Sequence, residues 1–249
     1  MENEKRNTGL VAANEKPKTR IWEIDALRGF LILCVIVAHT LFFCTSVLHL
    51  FSLPGIVQFV IQYGGTLFII LSGLSATLGS RSFRRGVLVF AGGMLLTLGS
   101  CIAVNLGWLD SGMIIRFGVL HLLGFCMMFY PRIKELPSLF LLLMAIIMIA
   151  LGLWFQLKPV LITSRLWFVL GLRYPSFSSG DYFPILPHLG WFCLGIVLGR
   201  TIYPEKKTLL PRVNANNPVL RFFCCCGRNS LYIFILHLPI VGGIMMLLF

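Results

Sequence analysis

Five histidines, His39, His49, His121, His188 and His237, all fall inside or beside long apolar stretches of this 249-residue chain. An ionisable group in such a stretch is costly to bury, so it is read first as a base, a proton relay or a ligand. The alternative for each is a neutral imidazole hydrogen-bonded within a helix bundle. The strongest local pattern leads up to His39: Glu23-Ile24-Asp25-Ala26-Leu27-Arg28-Gly29. On a helix, the eleven steps from Arg28 to His39 turn through about 1100°, only about 20° past three whole turns. The two side chains therefore share one face, about 16 Å apart along the axis. Asp25 stands three residues before Arg28 and can pair with it. A guanidinium suits phosphate, and an imidazole suits proton transfer near neutral pH. One stripe thus joins an anion grip to a proton acceptor, a geometry for a long anionic ligand whose reactive end reaches His39. The structural alternative for Asp25 and Arg28 is an ion pair at a membrane surface.

The elements that must position these groups follow from composition. Hydrophobic residues make up 57% of the chain and charged residues 12%, and mean hydropathy is +0.88. Soluble domains carry about 25% charged residues, and disorder needs low hydrophobicity. Neither describes the bulk of this chain. A spanning helix takes about 20 apolar residues, and seven runs qualify: 24–48, 56–79, 86–104, 113–130, 138–157, 184–199 and 229–249. The expected fold class is all-α, a polytopic transmembrane bundle of about seven spans in one domain over 21–249. A polar tail at 1–20 is expected to be disordered and cytoplasmic, as is the N-terminus.

Basic residues set the orientation. Lys5, Arg6, Lys16, Lys18, Arg20 and Arg28, then Arg81, Arg84 and Arg85, then Arg132 and Lys134, and finally Arg200, Lys206, Lys207, Arg212, Arg221 and Arg228 all fall on one side of a seven-span threading. Only Arg116, Lys158, Arg165 and Arg173 fall on the other. The positive-inside bias makes the first side cytoplasmic, and this accounts for the net charge of +12 without nucleic acid as a partner. Residues 166–172 are expected as a short surface or re-entrant helix in the outer loop.

On this threading the histidines favour the outer half, with His121 eight residues into its run and His237 eight residues in from the inner side. Cys34, Cys44, Cys101, Cys126 and Cys193 read as small buried hydrophobes, and no metal pattern is present. Cys224, Cys225 and Cys226 read as interfacial packing or a lipidation cluster. Gly64-Gly65 and Gly92-Gly93 read as close helix contacts.

The segment from Ile24 to Gly29, followed by His39, resembles the first-helix signature of membrane acyltransferases. Bacterial polysaccharide O-acyltransferases carry an Arg, ten residues and then a His there. The fuller resemblance is to the heparan-α-glucosaminide N-acetyltransferase catalytic-domain family. It extends to Gly65-Thr66-Leu67-Phe68-Ile69-Ile70-Leu71-Ser72-Gly73, Arg116-Phe117-Gly118-Val119-Leu120-His121, Asp181-Tyr182-Phe183-Pro184-Ile185-Leu186-Pro187 and the segment from Gly227-Arg228-Asn229-Ser230 to His237. The resemblance implies a transmembrane enzyme that takes acetyl from cytoplasmic acetyl-CoA and acetylates a sugar on the other side. The lysosomal member, with more spans and an extra lumenal region, acts on the terminal glucosamine amine of heparan sulfate. Its catalytic His aligns near His49 and an Asn aligns at His39, whereas the O-acyltransferases point to His39.

The expected function is therefore acetyl transfer from acetyl-CoA to an extracytoplasmic amino sugar or glycan, at an amine or a hydroxyl. The expected location is a bacterial cytoplasmic membrane, with lipid and a possible second copy as partners. His39 or His49 takes the proton from the acceptor, and an acetyl-His intermediate is a variant. Asp25, Arg28, Arg84, Arg85, Arg228 and Asn229 are expected to hold CoA, with Asn229, Ser230 or a second His near the thioester oxygen. His121, Asp181, His188 and His237 are expected at the acceptor. For Asp181-Tyr182-Phe183-Pro184 the alternative is a turn that starts the sixth span, with Pro in its first turn. The rival function is a transporter or flippase in which the histidines relay protons. A non-catalytic scaffold is a further alternative. A retinal-type receptor would need a Lys in the last run, and none is there.

Overall fold

An apolar run in a bilayer has no water to satisfy its peptide groups, so each run closes its hydrogen bonds internally as a helix. The computed structural model describes residues 21–157 and 166–248; the expected tail at 1–20 and the outer cations Lys158 and Arg165 lie outside the described residues. Within them stand α1 (Trp22–Phe42), α2 (Gly55–Leu78), α3 (Ser82–Asn105), α4 (Val119–Ile133), α5 (Ser138–Leu157), α6 (Ile185–Ile202), α7 (Pro218–Arg228) and α8 (Ser230–Leu248). A π-helical turn, Phe43–Val47, extends α1. The chain is an all-α polytopic bundle; the described residues contain no strand, only a single bridge between Phe117 and Tyr182.

Five of these helices, α1, α2, α3, α5 and α6, are long and apolar enough to cross a membrane, and α7 with α8 makes a sixth candidate bent by 80°. The expected fourth span, 113–130, is shorter than its apolar run. Its first residues form a 3-10 turn, Ser111–Met113, and an extended stretch, so α4 is 15 residues long and begins at Val119. The extended stretch is held from outside the helix: the Phe183 amide donates to the Phe117 carbonyl at 2.9 Å. His121 is accordingly the third residue of its helix, not the eighth from the outer start of a longer one. The expected outer-loop helix at 166–172 is a single 3-10 turn, Trp167–Leu170.

Helices in lipid approach where side chains are small. Four contacts are made this way: Gly29 with Gly227 (α1 and α7), Gly73 with Gly195 (α2 and α6), Gly86 with Gly124 (α3 and α4), and an α5–α6 contact in which Gly152 meets Pro187 and Gly190 meets Ala145 and Ile149. At each, the space a Cβ would need is taken by backbone of the facing helix. Of the glycine pairs expected in this role, Gly64 faces open space, while Gly65, Gly92 and Gly93 face the side chains of Phe183, Ile235 and His121. The core lies around α4 and α6, where Leu122, Cys126, Phe192 and Ile196 are fully buried together with Ile32, Ile69 and Leu141. Leu27, Phe30, Cys34 and Val37 form the outward stripe of α1 at helical spacing. Cys34 is therefore exposed rather than buried, whereas Cys44, Cys126 and Cys193 are buried as expected.

The close contacts sort the bundle into two ends. One end gathers the start of α1, the ends of α2, α4 and α6, the start of α3, and α7. The other gathers the start of α4, the start of α6 and the loop segment 178–183.

Candidate functional site

At the first end, Arg28 is pinned. Its Nη1 donates to Asp25 Oδ1 at 3.3 Å and its Nη2 to Ser75 Oγ, near the end of α2, at 2.7 Å. Ser75 Oγ in turn donates a hydrogen bond to the Leu71 carbonyl at 2.7 Å. Arg228, the last residue of α7, approaches the other Asp25 oxygen from the corner, with Nε 3.5 Å from Oδ2. The carboxylate side chain is 6% exposed and Arg28 13%, but Arg228 is 52% exposed. One buried negative charge thus braces two guanidiniums, of which the outer one retains solvent access. The expected Asp25–Arg28 pair is formed, and Arg228 joins it from 200 residues away in sequence.

The corner has a local cause. Asn217 caps α7 by accepting the Val219 amide at 2.9 Å, with Pro218 in the first turn. Gly227 then lets α7 lie directly on α1, against the Asp25 carbonyl. Asn229 ends α7 with its side-chain amide on the Cys225 carbonyl at 3.0 Å. Arg84 and Arg85 are exposed at the start of α3, with Arg85 folded back toward Gly79 at the end of α2. The donor set at this end, guanidiniums on three helices, matches phosphate chemistry.

Three turns along α1, His39 meets α8. His39 Nδ1 lies 2.7 Å from His237 Nε2, with the ring centres 4.9 Å apart and 15° between the ring planes, so the two rings meet edge to edge. His237 Nδ1 lies 2.6 Å from the Phe234 carbonyl, which only accepts. His237 is 5% exposed and both its ring nitrogens are engaged. Between Arg28 and His39, the same stripe carries Ile32, fully buried, and Val35, packed on the core.

The other expected residues lie elsewhere. His49 follows the π-helical turn, is exposed, and has a left-handed backbone (φ 51°); the ring that meets His39 is His237. His121 is 2% exposed. Its Nδ1 accepts the Gly118 amide at 3.2 Å, so its Nε2 carries the proton toward Thr97 Oγ1 at 3.3 Å, while Thr97 donates to the Ile115 carbonyl at 2.7 Å. That network ties α3 to the start of α4 and leaves no ring nitrogen for a ligand.

At the second end, Asp181 Oδ2 accepts the Val119 amide at 3.0 Å and so caps α4. Burial pushes this carboxyl up to about 6, against the pull of that amide. Tyr182 donates to the Phe168 carbonyl at 2.6 Å and lies under Arg173, 5.1 Å from its ring centre. His188 Nδ1 donates to the Pro184 carbonyl at 2.8 Å, leaving Nε2 as an acceptor, and its ring packs on Phe183. Pro184 is the residue from which α6 starts. The segment is thus a turn that leads into α6, as the turn reading has it.

The pairing of His39 with His237 was the feature least accessible from sequence; the only signal was that both histidines fall near mid-helix in long runs. No curated protein and no solved structure matches the chain. The family described as heparan-alpha-glucosaminide N-acetyltransferase, catalytic, matches residues 20–239. That span covers the guanidinium cluster, both histidines of the hydrogen-bonded pair and the Asp181 segment, so this integral membrane chain, with transferase chemistry implied, belongs to the heparan-α-glucosaminide N-acetyltransferase catalytic family.

Proposed function

We propose that the chain moves an acetyl group from acetyl-CoA, bound at the Arg28–Arg228 end, to an amine or hydroxyl of a sugar that enters from the Asp181 end. The observation that carries this reading is the arrangement along α1: Arg28 at one end, braced with Arg228 of α7 by Asp25, and, three turns on, His39 paired with His237 of α8. Family membership supplies the acetyl-transfer class. Arg228, with Arg84 and Arg85, meets the phosphates, while Arg28 is held by Asp25 and Ser75 as the inner wall of the grip. Asn229 sets the corner that presents Arg228. The pantetheine arm reaches toward His39 along the face of α1 that Arg28 and His39 share. His39 takes the acceptor's proton; His49, exposed and unpaired with His39, is a mouth residue in this reading. Asp181 and His188 line the acceptor side, with His121 as their structural support. The N-terminal side is cytoplasmic, in a bacterial cytoplasmic membrane.

Purified protein in detergent, given radiolabelled acetyl-CoA and a panel of amino sugars and glycans, tests this directly. Label should pass to at least one sugar, and acetyl-CoA at 100 times its Kd should add about 2.7 kcal/mol of stability. A transporter or flippase has no reason to bind CoA, so a thermal transition unmoved by acetyl-CoA and an unlabelled panel would refute the proposal.

A further inference from the structure

A neutral imidazole has one N–H donor and one lone-pair acceptor. The Phe234 carbonyl offers only lone pairs, so the proton of His237 sits on Nδ1, and Nε2 of that ring is an acceptor. Across the 2.7 Å contact, His39 Nδ1 must then be the donor. This leaves Nε2 of His39 with an unshared lone pair, on the side of the ring away from His237. The carbonyl, the buried ring and the half-buried ring form a one-way chain of hydrogen bonds.

Resting on the acetyl-transfer reading above, we infer that His237 is a positioning residue that fixes His39 as the Nδ1–H tautomer, making Nε2 of His39 the nitrogen that receives the acceptor's proton. The logic is that of a base oriented by a third group. In the step itself, the acceptor's nitrogen or oxygen forms its bond to the acetyl carbonyl carbon and gives its proton to His39 Nε2. The C–S bond of the thioester breaks, and the departing CoA sulfur takes that proton from Nε2. The chain ends where it began, with His39 neutral and protonated on Nδ1. Positive charge that develops on His39 during the step spreads toward His237 and the Phe234 carbonyl. His237 is removed from the acceptor-binding group by the same geometry, since neither of its nitrogens is left to meet a sugar.

Two measurements test the inference, and one is independent of turnover. In protein labelled with ¹⁵N-histidine, with His39 assigned by its loss in His39→Asn, the His39 Nε2 resonance should be that of an unprotonated ring nitrogen and Nδ1 that of a protonated one. In His237→Leu, His39 should populate both tautomers. A wild-type His39 protonated at Nε2 would overturn the inference, as would a His39 tautomer unmoved in His237→Leu. The second measurement is kinetic. His237→Leu should lower kcat at least about tenfold, short of the roughly 10⁴-fold lost when a catalytic His is held in its wrong tautomer, with KM for acetyl-CoA unchanged. His237→Gln, whose amide oxygen still accepts from His39 Nδ1, should recover most of that loss. Equal kcat losses in both variants, or a loss appearing in KM instead, would overturn it. Full activity in His39→Ala would sink the base assignment of the proposed function, while the ¹⁵N result still judges the role of His237.

Discussion

Gly227→Ala moves the guanidinium grip without deleting a charge. A Cβ there would run into the Asp25 carbonyl, and the reciprocal Gly29 is closed by the Phe223 carbonyl. To restore ordinary contact the α1 and α7 backbones must part by about 1–2 Å. Arg228 stands 3.5 Å from Asp25, so that shift carries it beyond ion-pair range. Overpacking of this kind costs about 1–3 kcal/mol of stability. The lost Arg228–Asp25 pair adds little, because Arg228 is half exposed and solvent screens it. For CoA the consequence is larger. A hydrogen bond to a charged group contributes about 1.5–3 kcal/mol, which at about 1.4 kcal/mol per decade is roughly a tenfold to 150-fold rise in Kd. Kd for CoA would be read by thermal-shift titration of the detergent-purified variant, beside Arg228→Gln. The two should weaken CoA to a similar degree, and only Gly227→Ala should also lower the ligand-free transition. A variant that is destabilised but binds CoA with wild-type Kd would refute the reasoning, because it would separate the α1–α7 contact from the anion site.

Asp181 gives a pH dependence of defined sign. Its folded-state carboxyl is pushed from an ordinary 3.8 up to about 6, so the folded protein holds this proton where the unfolded chain has released it. Stability from this group is full below about 4 and is lost as pH rises through about 6; Asp181→Asn should flatten that slope in melts taken across the range, and an unchanged slope would count against the assignment. Gly118→Ala, whose Cβ would collide with the Asp181 carboxylate, should break the cap on Val119 and lower the thermal midpoint by the cost of about 1–3 kcal/mol, whereas an unchanged midpoint would show that the cap contributes nothing. Single cysteines placed at the exposed positions Phe83 and Ser178, in a background freed of exposed thiols, should label from opposite sides of sealed vesicles, with 83 on the cytoplasmic side; same-side labelling would overturn the topology.

The sequence disclosed what is local. Apolar runs became helices because length and hydropathy determine that choice in lipid, and the three-residue spacing from Asp25 to Arg28 became an ion pair because a helix places such neighbours together. The matching face of Arg28 and His39 is likewise a property of one helix. What stayed hidden depends on contacts between distant segments. His237 is 198 residues from His39, and no periodicity in either run says which helices touch. The late start of α4 at Val119 is imposed by Asp181 and Phe183 from the loop before α6, so an apolar count that began at Met113 could not find it. The amphipathic α7 lay within a stretch read as a loop. Its cue, Asn217 followed by Pro218, is a helix-start signal, outweighed by the basic residues around it. The exposure of Cys34 follows from the same stripe arithmetic that aligned Arg28 with His39, applied to the opposite face.

In the proposed reaction acetyl crosses the bundle along α1, from the guanidinium end to the histidine pair and out at the Asp181 end. Proteoliposomes of uniform orientation, loaded inside with glucosamine as the probe acceptor and given radiolabelled acetyl-CoA only outside, measure this most directly when the Arg84 and Arg85 end faces outward. Labelled N-acetylglucosamine should accumulate inside, stop in His39→Ala and fall in Arg228→Gln. Glucosamine acetylated only when it shares a compartment with acetyl-CoA would contradict the account.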